Sequence, residues 1–261
     1  MTRASRHIGF ALAALGTLPA LGAWAAPAAP EDPYAACMNL AARAPDEALN
    51  RAEALYKGGD RSGGQHCLAA ALMAKGRPAE AGKVLDRLAG ELPAERTEER
   101  TELLRQAGRA WLKADKAEAA IRSFGAALAI SPDDAGLLMD RAVAKGARGE
   151  LWEALDDLNR AAEIDPGDAE ARLLMANAYR HLGSLDLAFE NVEAALKIDA
   201  YFAGAWLERG VLHSLRGENA AAQGAFHQAV ALDRDGPVGR AARANLARLS
   251  AGKGPSAPSP K

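Results

Sequence analysis

The sequence predicts an all-α protein built from repeated pairs of helices. Four blocks of 34 residues follow one another without gaps, beginning at Thr101, Ala135, Ala169 and Ala203. Self-similarity at such a period is typical of stacked structural repeats. Aromatic residues make up only 5% of the 261-residue chain, whereas Ala, Leu and Gly are abundant. This composition favours closely packed helices over a sheet of aromatic and β-branched residues.

Within each block, the columns of the repeat predict a helix, a tight turn and a second helix. The eighth position is always small, the twentieth and twenty-seventh are always Ala, and the twenty-fourth and thirtieth are large and apolar. Small residues let two helices approach closely, and we expect the large ones to fill the space between helices. Gly149, Gly183 and Gly217 occupy the predicted turn, and Asp115 stands at that place in the first block.

This column pattern resembles that of the tetratricopeptide-repeat (TPR) family. The family has a small residue at position eight, Gly or Asn near fifteen, Ala at twenty and twenty-seven, an aromatic residue at twenty-four and Pro at thirty-two. Pro132 and Pro166 match the last position, whereas Ala200 and Arg234 depart from it, and Arg172 replaces an expected large apolar residue. The resemblance implies a right-handed superhelical solenoid with a concave groove lined by the first helix of each unit.

The repeat register and the flanking composition divide the chain into segments. The predicted segments are a signal peptide at 1–25, an N-terminal helical cap and linker at 26–61, a divergent TPR-like helix pair at 62–100, TPR units at 101–134, 135–168, 169–202 and 203–236, a capping helix at 237–251 and a disordered tail at 252–261. Terminal units of a solenoid are commonly atypical because one of their faces meets water.

The first 25 residues have the features of a cleavable signal peptide. Positive charge at the start is followed by an apolar run that is short and interrupted by Gly and Pro. Ala23-Trp24-Ala25 supplies the small residues that a signal peptidase accepts. We therefore expect cleavage after Ala25 and a periplasmic or secreted protein without stable membrane insertion. An uncleaved anchor is the alternative, against which Pro19 argues. The first Cys is Cys37, so the lipoprotein pattern of a Cys directly after cleavage is lacking.

The only two cysteines, Cys37 and Cys67, are expected to form a disulfide in an oxidising compartment. The bond would close a loop of about 30 residues and contribute roughly 3 to 4 kcal/mol in the chain-entropy model. A thiol redox role is less favoured because no CxxC pair is present. His66 beside Cys67 makes only a weak metal site, since a second pair of ligands is lacking.

The sequence contains no motif typical of an enzyme, and we expect neither catalysis nor a cofactor. It has no phosphate-binding loop, HExxH, GxGxxG or GxSxG pattern. Carboxylate pairs such as Asp156-Asp157 fall where helix surfaces carry acidic residues anyway. The formal net charge is -2, so the chain lacks a global positive field that would attract nucleic acid or an anionic membrane.

The resemblance places partner-binding residues in the concave groove, at positions two, five, nine, twelve and thirteen of each block. Carried over by register, the predicted groove contains Arg105, Arg109, Lys113, Met139, Val143, Leu173, Asn177, Arg180, His181, Leu207 and Val211. The stripe of Arg105, Arg109 and Lys113 would suit an acidic peptide or a C-terminal carboxylate. Alternatively, the stripe is a solvated face paired with nearby acids, and the apolar groove residues receive a partner helix.

The expected function is that of an exported scaffold or adaptor that binds a protein or peptide partner in a cell-envelope assembly. One alternative is a non-catalytic accessory subunit for a small molecule or glycan, which the scarcity of groove aromatics disfavours. The other is a self-associating structural protein. A solenoid fold by itself specifies neither the partner nor the oligomeric state.

Overall fold

The computed structural model describes residues 32–252, and every regular element within them is an α-helix. Residues 1–31 and 253–261 lie outside the described residues, and with them the predicted signal peptide, its cleavage site at Ala25 and nearly all of the predicted tail. The described helices are α1 (Pro33–Arg43), α2 (Pro45–Lys57), α3 (Arg61–Ala74), α4 (Pro78–Glu91), α5 (Thr97–Lys113), α6 (Ala117–Ile130), α7 (Ala135–Ala147), α8 (Leu151–Ile164), α9 (Ala169–His181), α10 (Leu185–Ile198), α11 (Ala203–Leu215), α12 (Asn219–Leu232) and α13 (Pro237–Ser250).

The helices stack as successive pairs, which confirms the predicted helical repeat solenoid. Each helix packs against the next one along the chain, and first helices of neighbouring units also meet, as in α5 with α7, α7 with α9 and α9 with α11. We call the odd-numbered helices from α1 to α11 the first helices, and the surface that they form the first-helix face. Within residues 32–252, no helix is both long enough and apolar enough to cross a membrane.

The core of each TPR unit pairs a small residue of the first helix with a large residue of the second. Phe124 and Phe226 are buried, and each ring packs so closely against a Gly of the first helix that a larger residue could not replace that Gly. A Cβ added to Gly108 would stand 2.4 Å from the Phe124 ring, and one added to Gly210 would stand 2.4 Å from Phe226. The two middle units place Ala opposite Leu or Val at the same positions. The volumes at positions eight and twenty-four therefore compensate each other.

In three of the four units the thirtieth position does not fill the core as the sequence suggests, whereas Ile130 of the first unit is partly buried and packs against the core. Ile164, Ile198 and Leu232 are 41%, 40% and 36% exposed. Each is the last residue of its helix, after which the chain turns away toward the next unit. These three side chains therefore stay partly in contact with water at the ends of their helices.

The predicted turn position is confirmed by the backbone. Gly149, Gly183 and Gly217 have φ values of 82°, 78° and 76°, and Asp115 has a φ of 57°. This left-handed conformation is open to Gly without steric cost and is tolerated by short polar residues such as Asp. The first TPR unit therefore makes the same turn as the others with a different residue.

The predicted disulfide joins Cys37 of α1 to Cys67 of α3. Both residues are fully buried in an apolar cluster that includes Leu40, Ala48 and Ala71. The bond ties the N-terminal helix to the second pair of helices, as expected for a cap with little core of its own.

Helix α13 covers the C-terminal end of the array. Val238, Leu246 and Leu249 pack with the cluster around Phe226. The side chain of Asp233 caps the start of this helix. Its Oδ2 accepts hydrogen bonds from the backbone N–H groups of residues 238 and 239. A carboxylate at this place satisfies backbone donors that have no partner within the helix.

Candidate functional site

The N-terminal part of the first-helix face carries polar side chains that bond one another. The Tyr34 hydroxyl lies 2.8 Å from Nδ1 of His66, whose Nε2 lies 2.9 Å from Oε1 of Gln106. Because a carbonyl oxygen can only accept, Nε2 of His66 donates to Gln106. Gln106 in turn donates from Nε2 to Glu102 at 2.9 Å. Both ring nitrogens of His66 are therefore engaged.

The possible metal ligands among the described residues do not come together in one site. Within residues 32–252, no group of three or more His, Cys, Asp and Glu side chains is arranged to hold a metal ion. His66 makes hydrogen bonds to side chains of α1 and α5, and Cys67 is in the disulfide.

Two cations of the predicted stripe are paired with the next unit. Arg105 Nη2 lies 2.5 Å from Oδ2 of Asp134, and Arg109 Nη2 lies 2.9 Å from Oδ2 of Asp140. The sequence suggests counter-ions near the stripe itself, and Glu102 does approach Arg105 at 3.5 Å. The shorter contacts nevertheless come from α7 and its N-cap. Of the three cations, only Lys113 forms no ion pair within the described chain.

The start of α7 is shaped to receive Arg105. A Cβ added to Gly136 would stand 3.1 Å from Nη1 of Arg105, so Gly leaves room for the guanidinium to cross. Asp134 has two tasks, because its Oδ1 also accepts from the backbone N–H of Leu137 at 2.9 Å and caps the helix. The ion pair is thus built into the junction between two units.

Arg180 of α9 is paired in the same way with α11. Its Nε lies 2.5 Å from Oε1 of Glu208, and its Nη2 donates to Oδ1 of Asn177 at 3.1 Å. Burial raises the pKa of the Glu208 carboxyl, and the charge and hydrogen bond of Arg180 oppose this rise. Three guanidinium groups of the predicted groove are therefore engaged with carboxylates of the protein itself.

Between α7 and α9, the first-helix face opens into an apolar cavity of about 200 Å³. Its lining consists of Ala142, Val143, Gly146, Leu151, Ala154, Leu158, Leu174, Asn177, Ala178 and His181. Three residues predicted to line the groove, Val143, Asn177 and His181, meet here. Val143 is 43% exposed although it is apolar, so apolar surface at the cavity is in contact with water.

Gly146 opens this cavity, and the repeat pattern alone does not single it out. A Cβ added there would meet no atom within 4 Å, whereas other units have Leu112, Arg180 and Ser214 at the corresponding position. A Gly inside a helix destabilises it by roughly 1 kcal/mol relative to Ala. A Gly at a groove position inside a helix, where no packing contact requires it, can therefore indicate a functional site in the sequence.

His181 stands at the edge of the cavity in its neutral form. Burial and, to a smaller extent, the positive charge of Arg180 lower the pKa of the His181 imidazole from its ordinary value of 6.5. The lowered pKa favours the uncharged ring at neutral pH, and Asn177 supplies the other polar group of the lining. The cavity is thus apolar in its depth and polar but uncharged at its edge.

The remaining predicted groove residues are partly buried within the array. Met139 packs against the apolar cores on both sides of α7. Leu173 lies against the start of α11, since a Cβ added to Gly204 would stand 3.0 Å from its Cδ2. Leu207 and Val211 pack with the cluster that α13 completes. None of these four side chains is in the lining of the cavity with Val143.

A comparison with protein families supports the fold at the level of the repeat. Residues 169–202 match the family model described as "Tetratricopeptide repeat". These residues contain α9 and α10, and the neighbouring units repeat their columns. Residues 169–202 are therefore a tetratricopeptide repeat. No curated protein matches the sequence.

Solved structures of other TPR proteins share this fold at low sequence identity. A TPR protein from Parabacteroides merdae has a TM-score of 0.59 and 22% identity over 75% of this chain and 75% of that one. A thermophilic TPR protein from Thermus thermophilus has a TM-score of 0.58 and 21% identity over 71% and 99%. YrrB, described as a TPR protein with an unusual peptide-binding site, has a TM-score of 0.50 and 20% identity over 78% and 99%.

Proposed function

We propose that this TPR protein is an exported scaffold that binds a segment of a partner protein on its first-helix face, between α7 and α9. The observation that carries the proposal is the open apolar cavity there, beside cations that are already paired. The unusual peptide-binding site of YrrB, which shares the fold, supports the same general role. The features of residues 1–25 support export and a periplasmic or secreted location.

The physical basis of the proposal is the removal of apolar surface from water. Burial of such surface contributes about 25 cal/mol per Å², and Val143 and the aliphatic lining offer it without reorganising the helices. An acidic segment that paired with Arg105, Arg109 or Arg180 would have to displace a carboxylate of the protein from a contact that it already makes. The site thus favours an apolar occupant over an acidic one. A glycan is less well supported, because the cavity lining contains no Phe, Tyr or Trp.

The test introduces Asp in place of an exposed apolar residue, once on a first helix and once on a second helix, and compares peptide binding. A random peptide library is selected on the chain of residues 26–261, and the best peptide is then titrated against Val143→Asp and Leu187→Asp. Val143 and Leu187 are 43% and 40% exposed, but Leu187 lies on the second helix α10. We expect Val143→Asp to weaken binding about tenfold or more, as loss of a central interface residue does, and Leu187→Asp to leave it unchanged. Equal effects, or failure to select any peptide, would contradict the proposal.

Export is tested independently in a Gram-negative host that expresses the full sequence. The mass of the protein recovered from the periplasm is expected to correspond to residues 26–261. A cytoplasmic product that keeps its first 25 residues would overturn this part of the proposal and leave the binding site unaffected.

A further inference from the structure

We infer that the cavity between α7 and α9 is a specificity pocket for one uncharged apolar side chain of the partner segment, and that Gly146 sets its depth. This inference rests on the proposed function, because it names the chemistry of the residue that the same site would anchor. It concerns the cavity alone and requires no contact with the N-terminal part of the first-helix face.

The size of the cavity suits a single side chain. An engineered apolar cavity of roughly 150 Å³ stays dry and binds a benzene molecule, and the cavity here measures about 200 Å³. Its depth is formed by small and aliphatic residues of three helices, among them Ala142, Ala154 and Leu158, which are buried. A side chain of the size of Leu, Met or Phe would therefore fill the space that the helices leave.

The charges around the cavity argue against an acidic anchor. The cations at neighbouring groove positions, Arg105, Arg109 and Arg180, each lie within 3 Å of a carboxylate oxygen of the protein. The lining itself contains no Asp, Glu, Lys or Arg. A carboxylate that entered the depth of the cavity would lose its water without gaining a cationic partner, which is unfavourable in general. An uncharged apolar side chain has no such penalty.

The polar edge of the cavity is held in place. Asn177 accepts from Arg180, and Arg180 is anchored on Glu208 of α11. This chain of contacts fixes the Asn177 side chain at one side of the opening. One polar side of the opening is therefore held in place, and the depth of the cavity depends on the residue at position 146.

Gly146 is the residue through which the depth can be changed without disturbing the packing. An added side chain would project into free space, since no atom lies within 4 Å of its Cβ position. Any residue larger than Gly also has the higher helix propensity, Pro excepted. Gly146→Leu should therefore fill the pocket in a folded protein.

The decisive experiment uses a matched control in another helix. Gly90 is the second-last residue of α4 as Gly146 is of α7, and its Cβ position is equally free of neighbours. The peptide selected on residues 26–261 is titrated by calorimetry against wild type, Gly146→Leu, Gly146→Ala and Gly90→Leu. We expect a loss of affinity of at least tenfold for Gly146→Leu, a smaller loss for Gly146→Ala and none for Gly90→Leu.

A peptide in which the anchor residue is replaced by Ala completes a double-mutant cycle. The Ala peptide should bind wild type more weakly, but it should lose no further affinity on Gly146→Leu, because the pocket is already filled. If the selected peptide binds Gly146→Leu and Gly146→Ala as well as wild type, the pocket assignment is overturned and the proposed function stands. An acidic residue at the most sensitive peptide position would also overturn it. If wild type selects no peptide, the proposed function itself fails.

Discussion

The N-terminal part of the first-helix face and the part between α7 and α9 are built from similar helix pairs but present opposite surfaces. In the former, Tyr34, His66 and Gln106 form a continuous hydrogen-bonded series, and Arg105 and Arg109 are ion-paired. In the latter, small and aliphatic residues surround a cavity that no side chain of the described chain fills. The difference shows that equivalent repeat positions can either join units or leave apolar surface open to water.

The physical reason for this contrast lies in what an occupant would gain. A ligand that binds where hydrogen bonds are already made within the protein gains little net free energy, because it must first break them. Apolar surface in contact with water offers a gain to any group that covers it. The N-terminal part is therefore expected to stabilise the array and the cavity to bind the proposed partner, and substitutions in each part should separate the two roles.

The largest expected effect is on the stability of the N-terminal part. The double variant Cys37→Ser, Cys67→Ser removes the bond between α1 and α3 and should lower the free energy of unfolding by about 3 kcal/mol. Hydrogen exchange should become faster in α1 and α2, whereas α9 and the affinity for the selected peptide should not change, because distant repeats are coupled only through their neighbours. A parallel loss of peptide affinity would show that the two parts act as one.

A smaller effect is expected from the paired cations. The double variant Arg105→Gln, Arg109→Gln breaks two ion pairs between α5 and the α7 region and should cost about 1 kcal/mol of stability in chemical denaturation. Peptide affinity should be the same as for the control Arg122→Gln, which breaks an exposed pair with Glu118 inside α6. If the double variant abolished binding, the cationic stripe would be part of the site and an acidic partner would become the better proposal.

The smallest effect concerns pH at the cavity edge. Since burial and Arg180 lower the pKa of His181 below 6.5, the neutral ring is favoured at pH 7.5 and the ring gains its proton only below pH 6.5. A peptide that covers the ring disfavours the charged form, so affinity should fall a few-fold between pH 7.5 and pH 5. His181→Asn should flatten this dependence, whereas the control His213→Asn should retain it. Identical pH profiles for wild type and His181→Asn would remove His181 from the site.

Much of the fold could be predicted from the sequence because its determinants recur at constant spacing. Small residues at position eight, Ala at twenty and twenty-seven, and a left-handed turn residue are needed in every unit, whatever lies further along the chain. The disulfide was equally predictable, since the chain has two cysteines and therefore one pairing. These features depend on local conformation and on contacts between neighbouring helices, which the repeat period specifies.

The character of the site depended on contacts that the period does not specify. Arg105 and Arg109 reach carboxylates 29 and 31 residues away, and Leu207 and Val211 are partly covered by the cluster that α13 completes. The repeat register predicted Val143, Asn177 and His181 as groove residues. They line one cavity together, however, because Gly146 has no side chain to fill the space between them. The sequence alone therefore determined the order of helices and the residues facing inward at each turn. Only the tertiary structure decided which of those residues are satisfied by a neighbouring unit and which are left open, because that depends on the volume and charge contributed by adjacent helices together.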